Sequence, residues 1–162
     1  MQILHLMNIF NPDVCFVDEL KASWAANIAT EGSPNKIPVV SRGTNFFLNL
    51  SQETGSPWAA AVIPMSKNWD SVDISQFVDL NFNFYSPRAY SLKVSLVDAH
   101  EVESHVISIN EMGFPSEDYN SVVIPVTKFT KGHDSFEPEE CRLLKFIITE
   151  DSSVMLSRII LD

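Results

Sequence analysis

The segment VDLNFNFYSPRAYSLKVSLVD, Val78 to Asp98, decides the fold. In its first half Leu80, Phe82 and Phe84 alternate with Asp79, Asn81, Asn83 and Tyr85. In its second half Leu92, Val94 and Leu96 alternate with Ser91, Lys93 and Ser95. Successive side chains of an extended chain point to opposite faces, so each run presents one apolar and one polar face. That pattern belongs to antiparallel sheets with one side against a core. Joined across Ser86-Pro87-Arg88-Ala89, the two runs read as a hairpin. Its polar face would carry Asn81, Asn83, Tyr85, Lys93 and Ser95, either as a solvated surface or as a platform for a polar ligand.

The same texture extends in both directions. Strand-like runs are NFFLNLS (Asn45 to Ser51), WAAAVIPM (Trp58 to Met65), SHVISIN (Ser104 to Asn110), SVVIPVTKF (Ser121 to Phe129), LLKFIITE (Leu143 to Glu150) and VMLSRIILD (Val154 to Asp162). Turn chemistry such as ETGSP, DAHE, GFPSED and EDSS separates them. Many short strands with frequent turns predict an all-β antiparallel sandwich or barrel. Upstream, ELKASWAANIATE (Glu19 to Glu31) fits one short helix near the N-terminus and also a loop around Trp24. GSPNKIP (Gly32 to Pro38) ends that stretch, and no internal repeat is visible.

The 162 residues match one domain of about 150 on the usual length prior, so residues 1–162 are expected to form a single domain. A chain of this size buries roughly 70% of its unfolded surface and sustains a core without staples. Eleven Lys and Arg against 21 Asp and Glu give a net charge of −10. That field repels phosphate backbones and anionic bilayers, so no nucleic-acid and no membrane partner is expected. No apolar run reaches the ~20 residues of a membrane helix. Cys15 and Cys141 cannot build a disulfide framework or a zinc site; they are either reduced or paired with each other. MQILHLMNIF lacks a basic n-region and a small-residue cleavage site. The expectation is a cytoplasmic protein if Met1 is the native start, or an extracellular one if the chain is a piece of a secreted enzyme.

Lys67 to Ala99, KNWDSVDISQFVDLNFNFYSPRAYSLKVSLVDA, resembles the galactose-binding-like jelly rolls of carbohydrate-binding modules. There a Trp-Asp opens a short segment, a strand of alternating Leu and Phe follows, and a Lys-Val-Ser-Leu-Val-Asp-like strand comes next. Asn120 to Phe129 is similar to their Val-x-Ile-Pro strand, and Leu143 to Asp162 to their closing strands. The likeness covers residues 45–162. It implies a jelly-roll sandwich and a glycan ligand, with Trp69 in the core. Members of the group hold a structural calcium through acids on the first strand and an Asp on the last. Here Asp18 and Glu19 match, but Lys21 stands where an acid is common, and Ser157 followed by Arg158 replaces the Asp. Cations at the rim oppose calcium, so no cofactor is expected. Tyr119 stands where a Trp usually does.

A sugar site needs an aromatic plate for the apolar face of the ring and fixed polar groups for its hydroxyls. Trp58, Tyr85, Arg88, Tyr90, His100 and Tyr119 are the candidates, with Asn81, Asn83 and Asp98 as polar partners. His5, His100, His105 and His133 lack metal-ligand spacing, and no nucleophile-elbow, phosphate-loop or dinucleotide motif occurs. FEPEE (Phe136 to Glu140) reads as a solvated loop. Three functions follow. One is a non-catalytic carbohydrate-binding module. Another is a small-molecule enzyme of cyclase or isomerase type, with Asp98, His100, Glu101 and Tyr119 as acid–base groups. The third is a protein-interaction domain. The oligomeric state is open.

Overall fold

The computed structural model describes the strands Cys15–Val17, Ala29–Glu31, Val39–Arg42 and Asn45–Ser51, and residues 58–162 apart from 67, 68, 150 and 151. In chain order β1 to β4 are those four strands. Next come β5 (Trp58–Pro64), β6 (Asp79–Tyr85), β7 (Ser91–Asp98) and β8 (Ile107–Ser108). The last three are β9 (Asn120–Pro125), β10 (Cys141–Thr149) and β11 (Ser153–Leu161). The one-turn helix α1 (Thr127–Thr130) follows β9.

Two antiparallel sheets form the jelly-roll sandwich. The six-stranded sheet has the order β3-β4-β11-β6-β9, with β1 also pairing to β11. The five-stranded sheet has the order β2-β5-β10-β7-β8. Between them lie Leu80, Phe82 and Phe84 of β6, Leu92, Val94 and Leu96 of β7, Leu144, Phe146 and Ile148 of β10, and Val154, Leu156, Ile159 and Leu161 of β11. Phe82 from one sheet meets Phe146 from the other edge-on, ring centroids 5.1 Å apart. This geometry suits the ring quadrupole and joins the sheets at mid-core.

The alternation of both halves of Val78–Asp98 is present, but the predicted hairpin is not. β6 pairs with β11 and β9, whereas β7 pairs with β10 and β8. The turn between them carries the chain from one sheet to the other, so the two apolar faces meet across the core. The single polar face expected from the hairpin is therefore divided. Asn81, Asn83 and Tyr85 lie outside one sheet, Lys93 lies outside the other, and Ser95 is fully buried beneath its bond to Glu103.

Other differences have local causes. The 104–110 run shortens to β8 and a 3-10 turn at Asn110–Met112, closed by Gly113 at φ 84°. β8 is a sheet edge with one neighbour to define it. The 121–129 run stops at Pro125, and α1 then turns Phe129 into the core. Of the expected helix over 19–31, residues 29–31 are strand β2, and the remainder lies outside the described residues. Trp69, expected in the core, is only half-buried at φ 65°, and its carbonyl accepts a bond from Arg142 Nε at 3.1 Å. Cys141 is a free buried thiol, pushed well above its ordinary pKa first by burial and then by the charge of Asp98.

If the Phe82–Phe146 contact joins the sheets, Phe146→Ala should lower the unfolding free energy by about 3–5 kcal/mol in a denaturant titration. A loss under about 1 kcal/mol would place the centre of the core elsewhere.

Candidate functional site

Burying Leu80, Phe82 and Phe84 forces Asn81, Asn83 and Tyr85 onto the outer face of the six-stranded sheet. Register then assembles a transverse row. Tyr85 lies opposite Met155 of β11, and Met155 lies opposite Asn49 of β4. On the other flank Tyr119, just before β9, brings its ring to 5.3 Å from that of Tyr85, tilted by 37°. Tyr119 is 67% exposed. Together with Pro87 and Ser153 these side chains line an open depression of about 520 Å³.

The two loops that carry this pair are fixed. The Ser86 hydroxyl is 2.6 Å from the Arg88 carbonyl and 2.8 Å from that of Ser153, which ties the 86–90 turn to β11. Glu117, at φ 65°, donates its N–H to the Ser86 carbonyl at 2.7 Å. Asn120 Nδ2 donates to the carbonyls of Pro115 and Asp118 at 2.9 and 3.1 Å. These bonds order the backbone on either side of the two tyrosines.

Further along β6 the face continues as a second depression of about 280 Å³. Asn81, Asn83 and Ser121 line it together with Arg158 and Asp162. Neither Asn81 nor Asn83 hydrogen-bonds through its side chain to another group among the described residues. Arg158 arrives there through a β-bulge. Ser157 pairs with Asn83 but Ile160 pairs with Asn81, so β11 spends three residues where β6 spends two. Strict alternation from Val154 and Leu156 would point Arg158 into the core. The extra residue instead keeps Ile159 and Leu161 buried and leaves Arg158 exposed, at φ 49°. A non-glycine residue in that left-handed region costs roughly 1–2 kcal/mol.

The remaining candidates go elsewhere. Trp58 is half-buried on the outer face of the five-stranded sheet, with the Lys145 ammonium 5.8 Å from its ring centroid. Arg88 is exposed in the turn beside the tyrosine plate. Tyr90 is a core-edge residue. Its ring packs edge-on against Phe84 at 5.1 Å, its hydroxyl donates to the Phe114 carbonyl at 2.7 Å, and burial raises its pKa.

Asp98 and His100 lie at the opposite end of the sandwich, because β7 runs from Ser91 beside the tyrosine end to Asp98 at the far one. Asp98 is buried, and its carboxylate accepts N–H bonds from His100 and Val102 at 2.9 Å and from Glu137 at 3.0 Å. Burial alone would raise its pKa. The three backbone donors and the charge of His100 outweigh burial and hold it below the ordinary value. Asp98 thus ties two loops together, a structural role. Above it, exposed His100 Nε2 is 3.1 Å from Glu140 and 3.6 Å from Glu137. The Glu137 carboxyl is raised by its hydrogen bond to Glu140, then by burial and by Glu140's charge. These three side chains have donor atoms close enough to share one cation, at the end of the sandwich away from the tyrosine plate. The acid–base set Asp98, His100, Glu101 and Tyr119 is therefore split between the two ends.

Sequence patterning misses Asn49 and Met155 as parts of the plate, and Arg158 as a surface residue of this face. Asn49 between buried Leu48 and Leu50 carries the signal in its alternation. Arg158 becomes legible only from the phase slip between Leu156 and Ile159.

No family model matches the sequence, and no curated protein matches it. Solved structures do match in fold. The family 30 carbohydrate-binding module of a cellulosomal cellulase of Clostridium thermocellum aligns over 82% of this chain and 85% of that one, with TM-score 0.65 and 19% identity. The family 11 carbohydrate-binding module from Clostridium thermocellum, in complex with a β-1,3-1,4-mixed-linked tetrasaccharide, aligns over 91% and 94%, with TM-score 0.61 and 13% identity. An exo-β-agarase aligns over 92% of this chain but only 25% of its own length, with TM-score 0.64 and 12% identity. The chain thus has the β-sandwich fold of carbohydrate-binding modules.

The depressed pKa of Asp98 sets the direction of an acid test. Its contribution is complete above the unfolded value of about 3.9 and is lost as pH falls through the lower folded value. Asp98→Asn should cost about 1.5–3 kcal/mol of stability near neutrality, with the deficit shrinking in acid. An equal deficit at neutral and strongly acid pH, in denaturant titrations, would contradict the ionised-anchor role.

Proposed function

We propose that this domain is a non-catalytic carbohydrate-binding module that holds a glycan on the outer face of its six-stranded sheet. The observation that carries the reading is the Tyr85–Tyr119 pair, two rings with centroids 5.3 Å apart over an open depression edged by Asn49. Such rings cover the apolar C–H face of a pyranose, while amides meet its hydroxyls in both donor and acceptor sense. Asn81 and Asn83 supply further amides along the same strand. The two carbohydrate-binding modules of the same fold support a glycan as ligand.

The enzyme alternative loses Tyr119, which lies at the opposite end from Asp98, His100 and Glu101, and the Asp98 carboxylate is occupied by three backbone N–H groups. Catalysis needs such groups within hydrogen-bond reach of one substrate.

Tyr85→Ala and Tyr119→Ala should each weaken binding to the glycan selected on an array by about tenfold or more, with circular dichroism unchanged. Trp58→Ala, on the other sheet, should leave that affinity within about twofold, well under the ~1.4 kcal/mol that separates tenfold steps. Loss of binding in Trp58→Ala with retention in both tyrosine variants would move the site to the five-stranded sheet. An array blank both with and without calcium would overturn the glycan reading.

A further inference from the structure

Two polar loops that the glycan face does not use meet at the other end of the sandwich. His100 follows β7, while Glu137 and Glu140 bound the 3-10 turn that precedes β10. The pairing of Asp98 with Cys141 brings these segments side by side, although His100 and Glu140 are 40 residues apart in the chain. His100 Nε2 then lies 3.1 Å from Glu140 Oε2 and 3.6 Å from Glu137 Oε2. We infer that His100, Glu137 and Glu140 bind one divalent transition-metal ion of the zinc class, which staples the loop after β7 to the loop before β10. This inference is independent of the glycan reading.

Three observations support it. The donor set is mixed, one imidazole nitrogen and two carboxylate oxygens, all within 4.8 Å of one another. Zinc holds such donors at about 2.0–2.2 Å, which sets the corners of its tetrahedron about 3.3–3.6 Å apart. The two distances from His100 Nε2 lie close to that edge length. Secondly, the Glu137 and Glu140 carboxyls are hydrogen-bonded to each other, and His100 is the cationic group that acts on Glu137 among the described residues. Two carboxylates in contact need a proton or a cation between them, and a divalent ion meets both at once. Thirdly, the backbones behind the donors are tied together beneath the site. The buried Asp98 carboxylate accepts the N–H groups of His100 and Glu137, and Ala99 donates its N–H to the Glu140 carbonyl at 2.9 Å. Groups that hold ligands from behind in this way are a regular part of metal sites.

The donor chemistry selects the ion. Calcium takes six to eight oxygens, whereas three protein donors including an imidazole suit zinc with a water in the fourth position. A spacing motif cannot reveal this set, because its ligands come from two loops distant in sequence.

The test is a calorimetric titration of the full chain, first treated with a chelator, with Zn²⁺ alone, followed by thermal melts with and without the ion. Wild type should take up one Zn²⁺ per chain and melt at a higher temperature when it is bound. His100→Ala, Glu137→Gln and Glu140→Gln should each weaken Zn²⁺ at least about tenfold, since even losing a group behind a ligand costs about 10–100-fold. All three side chains are exposed, so the variants should keep the wild-type circular dichroism spectrum. The rings of His105 and His133, 4.9 Å apart, are the competing imidazole pair, and their double alanine variant should bind Zn²⁺ as wild type does. Calcium at the same concentration should leave the melting temperature unchanged. Absence of Zn²⁺ uptake by wild type, or unchanged affinity in any one of the three ligand variants, would overturn the site. Loss of uptake in the His105/His133 variant alone would move the ion to that pair, and a larger thermal shift with calcium than with zinc would refute the zinc assignment.

Discussion

The two-residue period of strand β6 is the constraint from which the rest follows. Leu80, Phe82 and Phe84 must be buried, and each contributes on the order of 1.5–3 kcal/mol when fully removed from water. A slip of one residue would expose all three and bury two amides and a tyrosine. The register against β11 and β9 is thereby fixed, and with it the outward placement of Asn81, Asn83 and Tyr85. The candidate site is the obligatory reverse side of the core.

The two ends of the sandwich divide their work. At one end, Ser86 and Asn120 hold the turn and loop that set Tyr85 beside Tyr119. At the other, the Asp98 carboxylate takes three backbone N–H groups and closes two loops over the end of the core. Charged-acceptor bonds of this kind are stronger than neutral ones, which suits a buried tie. Between these ends the β11 bulge performs two tasks with one residue. It restores the core phase at Ile159 and delivers a long cationic side chain to the outer face.

Strand existence is legible in this sequence because the alternation of NFFLNLS, DLNFNFY and SLKVSLVD is strong and local. Strand pairing is not legible, because hydrophobic alternation specifies a face but not a neighbour. Asp79–Tyr85 and Ser91–Asp98 separated by a short turn look the same whether they form a hairpin or cross between sheets. Polar type is equally ambiguous. Asp98 has the chemistry of a ligand, and only its three backbone donors reveal an anchor. Tyr90 looks like an exposed aromatic until its hydroxyl finds the Phe114 carbonyl. By contrast Tyr85 is legible as a surface aromatic, since its parity on β6 is opposite to that of Phe84.

The most direct test of the account is a backbone amide chemical-shift map of the domain titrated with the mixed-linked tetrasaccharide and with longer neutral glucan chains. The account predicts perturbations concentrated at Tyr85, Tyr119 and Asn49 and continuing through Asn83 and Ser121 to Arg158, with the far end around Asp98 and His100 silent. Perturbations centred on Trp58, Lys93 and Lys145, or none with any chain, would contradict it.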